Sequence, residues 1–182
     1  MNEINKNANA VLDNIASRMS VRSYEDKAVP AEMVERLLRA AMAAPSAKNR
    51  QPWEFVVVDD RATLDALAAR LKYAKMLAQA PLAVIVCAET MVTHSDGTVS
   101  ENPFWEQDAA AATENLLLAA EALGLGAVWT AASDKERSEA VKSVISMPST
   151  VMPLCVVPIG FPAGKEKPKD KWNPSKIHHN RW

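Results

Sequence analysis

The stretch "ALGLGAVW", residues 122–129, places two glycines two positions apart, and the side of a helix on which they fall decides the fold. In a dinucleotide-binding turn such glycines follow a strand and open a helix. Here they follow the long run "FWEQDAAAATENLLLAAEALG", residues 104–124, so they end a helix and the Rossmann reading loses its main support. Asn102 is placed to cap that helix and Pro103 suits its first turn. Beyond the glycines, "AVWTAA" (127–132) reads as a short extended piece.

On the N-terminal side, "WEFVVVDD" (53–60) and "PLAVIVCAE" (81–89) are short valine-rich runs, the pattern of buried strands. Residues 61–79 read as a helix between them, and the apolar stripe in "PAEMVERLLRAAMAA" predicts another over 30–44, stopped by Pro45. On the C-terminal side, the Ser133–Glu136 spacing is a capping box announcing a helix over 135–146 that Pro148 terminates. "PLCVVPIG" (153–160) predicts one more strand. This order predicts an α+β layer fold around one small sheet, as a single domain over residues 1–182. Residues 161–182 are proline-rich and cationic without a core pattern, which predicts an extended tail in need of a surface to lie on.

With 48% hydrophobic and 24% charged residues, and Lys+Arg 21 against Asp+Glu 22, the chain has no global field to draw nucleic acid or an anionic membrane. Any anion it binds must be bound locally. Cys87 and Cys155 each lie inside an apolar run, which suits buried thiols and a reducing cytoplasm. The polar start "MNEINKNANA" lacks the apolar region of a signal peptide. His178 and His179 are adjacent and His94 stands alone, so no metal site is expected.

Four constellations could carry chemistry. In "SRMSVRSYEDKAVP" (17–30), Arg18, Ser20 and Arg22 would supply charge-assisted donors to a phosphate if all turned to one side. The same residues also suit two solvated arginines paired with Glu25 and Asp26. In "APSAKNRQPWEF" (44–55), Ser46, Asn49 and Gln51 offer the mixed donors and acceptors that read a flat heteroaromatic edge, unless they satisfy their own backbone. Trp129 and Thr130 lie just past the glycine-ended helix, where the indole could cover a planar ligand or fill the core. Lys165, Lys167, Lys169 and Lys171 in the tail could neutralise a phosphate or remain solvated. Glu106 and Asp108 read as polar faces of the long helix more readily than as an acid–base pair.

Taken together, "SRMSVRSY" (17–24), "APSAKNRQPWEF" (44–55), "YAKMLAQAPLAVIVCAE" (73–89), "QDAAAATENLLLAAEALGLGAVWT" (107–130) and "PIGFPAGKEKPKDKWNPSKIHHNRW" (158–182) resemble the nitroreductase family, in the family's order and over nearly all of the chain from residue 15. The resemblance implies a small mixed or antiparallel sheet flanked by helices, in an intertwined homodimer whose C-terminal tail packs on the partner subunit. It implies tightly bound flavin mononucleotide (FMN), with Arg18, Ser20, Arg22 and Lys171 on the phosphate and ribityl end and Met19 contributing backbone. It implies that Pro45, Ser46, Ala47, Asn49 and Gln51 edge the flavin ring from the partner, with Trp129 and Thr130 along the ring. Relatives often carry a second arginine where Met19 stands and an arginine where Lys171 stands, so Lys169 is a further candidate cation; Ala109 and Ala110 replace a common Cys-Ser.

The activity implied is that of an oxidoreductase moving hydride from NADH or NADPH through the flavin to a nitroaromatic or quinone, in two separate half-reactions. The alternatives are a non-catalytic flavin carrier or sensor, or a branch acting on organic halides or flavin-like substrates. The segment 90–105, with Phe104 and Trp105, suits a cover for a small planar aromatic molecule. Lys48, Arg50, Arg70 and Lys75 are the candidates for a cation beside the flavin's N1.

Overall fold

The computed structural model describes residues 6–182. Its spine is the helix α4, Trp105–Ala122, in which Ala109, Ala112, Leu116, Leu117 and Ala120 are buried while Gln107 and Glu114 keep one side polar. So wide an apolar face must be covered by more than one element. The helix α2, Ala31–Met42, lies against it, and Asn115 Nδ2 donates to the Ala40 carbonyl at 3.1 Å. The helix α1, Lys6–Ser17, is tied to it by Asn14 Nδ2 donating to Leu118 O at 3.0 Å.

The sheet lies under α4. Strands β1 (Trp53–Val58), β2 (Leu82–Glu89) and β7 (Val151–Gly160) pair antiparallel in the order β1-β2-β7, with the two-residue strands β5 (Gly126–Ala127) and β6 (Thr130–Ala131) also pairing with β7. The ladders are therefore all antiparallel, where the sequence left a mixed sheet open. Alternation along β2 explains why every residue from Leu82 to Ala88 is apolar: Leu82, Val84, Val86 and Ala88 face α2 and α4, while Ala83, Ile85 and Cys87 face the other layer. That layer is α3, Arg61–Arg70, with α5, Lys135–Ile145. A bulge shifts the register between Val86 and Cys87, whose partners are Cys155 and Pro153; Leu154 is the extra residue.

Three expectations need correction. The helix expected over 61–79 ends at Arg70, and a separate 3-10 turn covers Lys75–Ala78. Lys75 Nζ donates to the carbonyls of Ala68 and Ala69 at the end of α3, the usual home of a cation at a helix C-terminus. The cap of α5 is Asp134, which accepts from Arg137 N at 3.1 Å, one residue later than the Ser133–Glu136 box places it. The N-cap of α4 is Phe104, without a side-chain cap bond; Asn102, expected to cap it, lies two residues earlier and accepts from Phe104 N at 3.2 Å, and Pro103 lies outside the helix. The segment 90–105 contains a hairpin, β3 (Met91–Thr93) with β4 (Val99–Glu101), turning at Gly97 with φ +83°. Among the described residues no helix is long and apolar enough to cross a membrane.

Cys87 and Cys155 are fully buried, and burial pushes both thiols up to about 12. Folding therefore favours the neutral thiols; their contribution is complete below the ordinary thiol range and is lost as pH rises toward about 12. The expected result is no labelling of either cysteine by a thiol reagent at pH 8 in the folded protein and full labelling in denaturant, read by mass spectrometry.

Candidate functional site

The segment after α1 is extended and strand-like. Ser20 forms an isolated parallel bridge with Ala127, Val21 N donates to Ala127 O at 3.0 Å, and Tyr24 bridges Pro162. Period-two alternation then sorts the side chains. Tyr24 and Ala80 form a buried cluster, and within 18–22 it is Met19 and Val21 that turn to it. Arg18, Ser20 and Arg22 take the opposite phase and line a cavity of about 510 Å³ together with Met19, Glu166, Lys167, Lys169 and Lys171. So the serine between the arginines is a consequence of strand geometry: it shares their face, and its apolar neighbours anchor the segment.

Tyr24 fixes the register from below. Its hydroxyl lies 2.7 Å from Val21 O and 3.1 Å from Pro158 O, and burial pushes its phenol well above the ordinary tyrosine range, so it stays a donor. Gly126 lets the segment approach β5: a Cβ there would stand 2.6 Å from Val21 Cγ1. Sequence reading took Gly126 only as a helix stop. Gly124, with φ +72°, is the residue that ends α4, and Leu125 N closes the turn on Ala120 O at 2.8 Å.

The cavity is strongly cationic. Five of its lining residues, Arg18, Arg22, Lys167, Lys169 and Lys171, carry positive charge against one carboxylate, Glu166. Glu166 Oε1 accepts from Arg22 N at 3.4 Å, the amide an external anion would also use. Arg18 does not pair with Glu25 or Asp26; its Nε lies 3.5 Å from Glu114 on α4. Among the described residues Arg22 forms no ion pair, and its guanidinium reaches Ser20 O at 3.4 Å. Lys165 is not among the residues lining the cavity, although it has the parity of Lys167, Lys169 and Lys171; the tail's contribution begins at Glu166. The tail is held at its root by Glu25 N to Phe161 O (2.9 Å) and Ala163 N to Ser23 O (3.0 Å).

The loop 45–51 is a second built feature. Lys48, Asn49 and Gln51 all have φ between +51° and +55°, a costly conformation for residues with a Cβ, of roughly 1–2 kcal/mol each. Gln51 N donates to Ser46 Oγ at 2.9 Å, and Gln51 Nε2 donates to Asn49 Oδ1 at 3.0 Å. The loop does satisfy its own backbone in part, yet Asn49 Nδ2 and Gln51 Oε1 make no hydrogen bond among the described residues. One donor and one acceptor thus remain on exposed residues. Pro45 is exposed and Ala47 half-buried beside them.

Trp129 is half-buried and packs on the α2–α4 side of the sheet, so it belongs in part to the core. Thr130 is buried, and its hydroxyl donates to Val156 O, which leaves that group unavailable to a ligand. Lys48 and Arg50 lie on the loop 45–51, whereas Arg70 reaches Ser143 at 3.0 Å and Lys75 caps α3; both belong to the α3–α5 layer. Two residues escaped sequence reading. Asp108, which the sequence places on a polar face of the long helix, is buried and accepts from Ala47 N at 2.8 Å; Glu166 was hidden in a run of lysines. Neither of the two cavities that Arg18 lines includes any residue from 45 to 51.

Comparison with known proteins fits this layout. The profile of the nitroreductase family matches residues 15–72 and 65–161. A protein of Methanothermobacter thermautotrophicus, provisionally named NADH dehydrogenase/NAD(P)H nitroreductase, is 40% identical over 173 residues, 94% of this chain and 87% of that protein. A crystal structure of a Bacteroides thetaiotaomicron protein with the same provisional name superposes with a TM-score of 0.88 at 50% identity, covering 95% of this chain and 98% of that one. An FMN-dependent nitroreductase of Clostridium difficile R20291 superposes at 0.84 with 28% identity, covering 94% and 99%. A long helix ended by Gly124 over an antiparallel sheet, an Arg-x-Ser-x-Arg segment bridged to β5 and matches along most of the sequence lead to one conclusion: the chain belongs to the nitroreductase family.

Proposed function

We propose that the chain is an FMN-dependent oxidoreductase that takes reducing equivalents from NADH or NADPH and delivers them to a small planar acceptor, a nitroaromatic or a quinone. The observation that carries this reading is the alternation of residues 18–22, which gathers Arg18, Ser20 and Arg22 with Lys167, Lys169 and Lys171 around one cavity. Guanidinium and ammonium donors in that number suit a phosphate dianion, and the Ser20 hydroxyl suits the ribityl chain. The Arg22 amide joins them once Glu166 withdraws. Met19 contributes backbone only, because its side chain turns to the Tyr24 cluster.

Pro45, Ser46, Ala47, Asn49 and Gln51 are assigned to the edge of the flavin ring, where the free Asn49 amide N–H and Gln51 carbonyl match a pyrimidine-like edge. Trp129 and the backbone at Thr130 border the ring. When bound, FMN supplies the hydride-accepting and electron-donating chemistry, and donor and acceptor occupy the same site in turn. The protein's part is to hold, orient and shield, which accounts for a site built of donors and apolar walls.

The loop and the phosphate residues line no common cavity within one chain, so a second copy supplies the loop. Val11, Leu12 and Ile15 leave an apolar face of α1 exposed, and the tail carries Trp172 at 74% exposure with Ile177 and Trp182 also exposed. These surfaces suit burial in a homodimer, with residues 161–182 lying on the partner. The purified protein is expected to be yellow, to bleach under NADH or NADPH without air, to recover its colour on adding a quinone, and to sediment as a dimer. Bleaching without catalytic turnover would make it a flavin carrier, and a yellow monomer would refute the shared site.

A further inference from the structure

We infer that Asp108 is a positioning residue for the loop 46–51, holding through the Ala47 amide the edge that the proposed function assigns to the flavin; in that respect it rests on that reading. Asp108 sits in the first turn of α4, where the helix dipole favours a carboxylate that ordinarily stays in water. This one does not. It is 5% exposed, its Oδ1 accepts from Ala47 N at 2.8 Å, and its Oδ2 is buried with no hydrogen-bond partner. Among the described residues, this is the one hydrogen bond between 45–51 and the rest of the molecule; Ser46–Asn49, Ala47–Arg50, Ser46–Gln51 and Asn49–Gln51 all close within the loop.

A loop with three left-handed residues persists only where its surroundings over-determine it. The internal bonds set its shape but not its place. The α4 helix is fixed in the core through Ala109, Ala112, Leu116, Leu117 and Ala120, so a charge-assisted bond from its first turn transmits that rigidity to the loop. A neutral acceptor would satisfy the Ala47 N–H less strongly but in the same position.

Three variants separate positioning from mere stability. Asp108→Ala removes the acceptor, Asp108→Asn keeps an oxygen toward Ala47, and Ala47→Pro removes the donor from the other side. Ser46, at φ −138° and ψ 154°, has the extended backbone that a following proline requires. Amide exchange and FMN titration are read on each, with Leu64→Ala, buried in the α3 layer, as a control for lost stability. Asp108→Ala and Ala47→Pro are expected to speed exchange at residues 48–51 and to weaken FMN binding about tenfold, with the double variant no worse than either. Asp108→Asn should stay within about threefold of the parent, as one retained acceptor implies.

Unchanged exchange at 48–51 in Asp108→Ala would overturn the inference, as would a loss of FMN affinity equal to that of Leu64→Ala at matched melting temperature. If Asp108→Ala does not fold, Ala47→Pro and Asp108→Asn decide on the same two readouts. If the parent takes up no FMN, the functional reading fails, and the exchange comparison still decides the role of Asp108.

Discussion

Replacing both Arg18 and Arg22 with alanine is expected to weaken FMN binding by about a hundredfold or more. Each guanidinium offers charge-assisted hydrogen bonds worth roughly 1.5–3 kcal/mol, and about 1.4 kcal/mol is a factor of ten in affinity. Arg18→Ala alone should cost about ten- to a hundredfold by the same figures. The two losses are not fully additive, because both side chains face one cavity and the remaining lysines partly compensate. Riboflavin, which lacks the phosphate, should bind the parent and the double variant alike. Folding should be nearly untouched: Arg18 faces Glu114 across a 3.5 Å partly exposed pair, and such pairs contribute at most about 1 kcal/mol. Equal FMN affinity in the double variant and the parent, measured by fluorescence titration, would remove the arginines from the site.

The second large effect is expected from one methyl group. Gly126→Ala places a Cβ at 2.6, 2.7 and 2.9 Å from three carbon atoms of Val21, closer than real Cβ contacts come. Val21 cannot step aside, because it is 1% exposed, β-branched and bonded through its amide to Ala127. Overpacking of this kind costs roughly 1–3 kcal/mol. It also lifts the strand bearing Arg18, Ser20 and Arg22 off β5, so FMN affinity should fall along with the melting temperature. The change Val21→Ala in the same chain should restore part of both, since it removes two of the three atoms that the new methyl meets and leaves only the Val21 Cβ contact at 2.7 Å to be relieved by a small shift. A Gly126→Ala protein with parental stability and parental flavin binding would mean that the 18–22 segment is not positioned by its contact with β5.

Much of the fold is legible from local pattern because the strands and the long helix are saturated with apolar residues. Strand β2 is buried on both faces, so it has to be a continuous apolar run, and α4 has a wide buried face, so leucine and alanine dominate it. Where the signal depends on one polar group, local reading slips. Ser133 and Asp134 are both good caps one residue apart, and the choice between them belongs to tertiary geometry. The break after Arg70 is invisible in a helical pattern that continues to residue 79; Leu71 and Leu77 turn into the core there, and Lys75 closes the helix from outside.

The site divides the same way. Arg18, Ser20 and Arg22 could be named from their spacing, yet the spacing alone allowed two solvated arginines. Only the bridge from Ser20 to Ala127 makes the segment a strand and so puts all three on one face. Asp108 looked like surface because, in sequence, an acid in the first turn of a helix is ordinary; its burial exists only once the loop 45–51 folds over it. The sequence places Thr130 beside Trp129 but does not show that its hydroxyl donates to a strand that arrives 26 residues later, which leaves its backbone as the part that can border a ligand.

By itself, the sequence determined the long helices and the long strands, the near-zero net charge, and which residues carry the family likeness, because these follow from composition and from periods of two and 3.6 residues. The tertiary structure decided which of those residues share a surface: the cationic cavity, the Asp108 tether and the close contact at Gly126. The physical reason is that hydrogen bonds and van der Waals contacts act over a few ångströms, and chain separations such as 20 to 127 or 47 to 108 close to that range only through packing of the core between them.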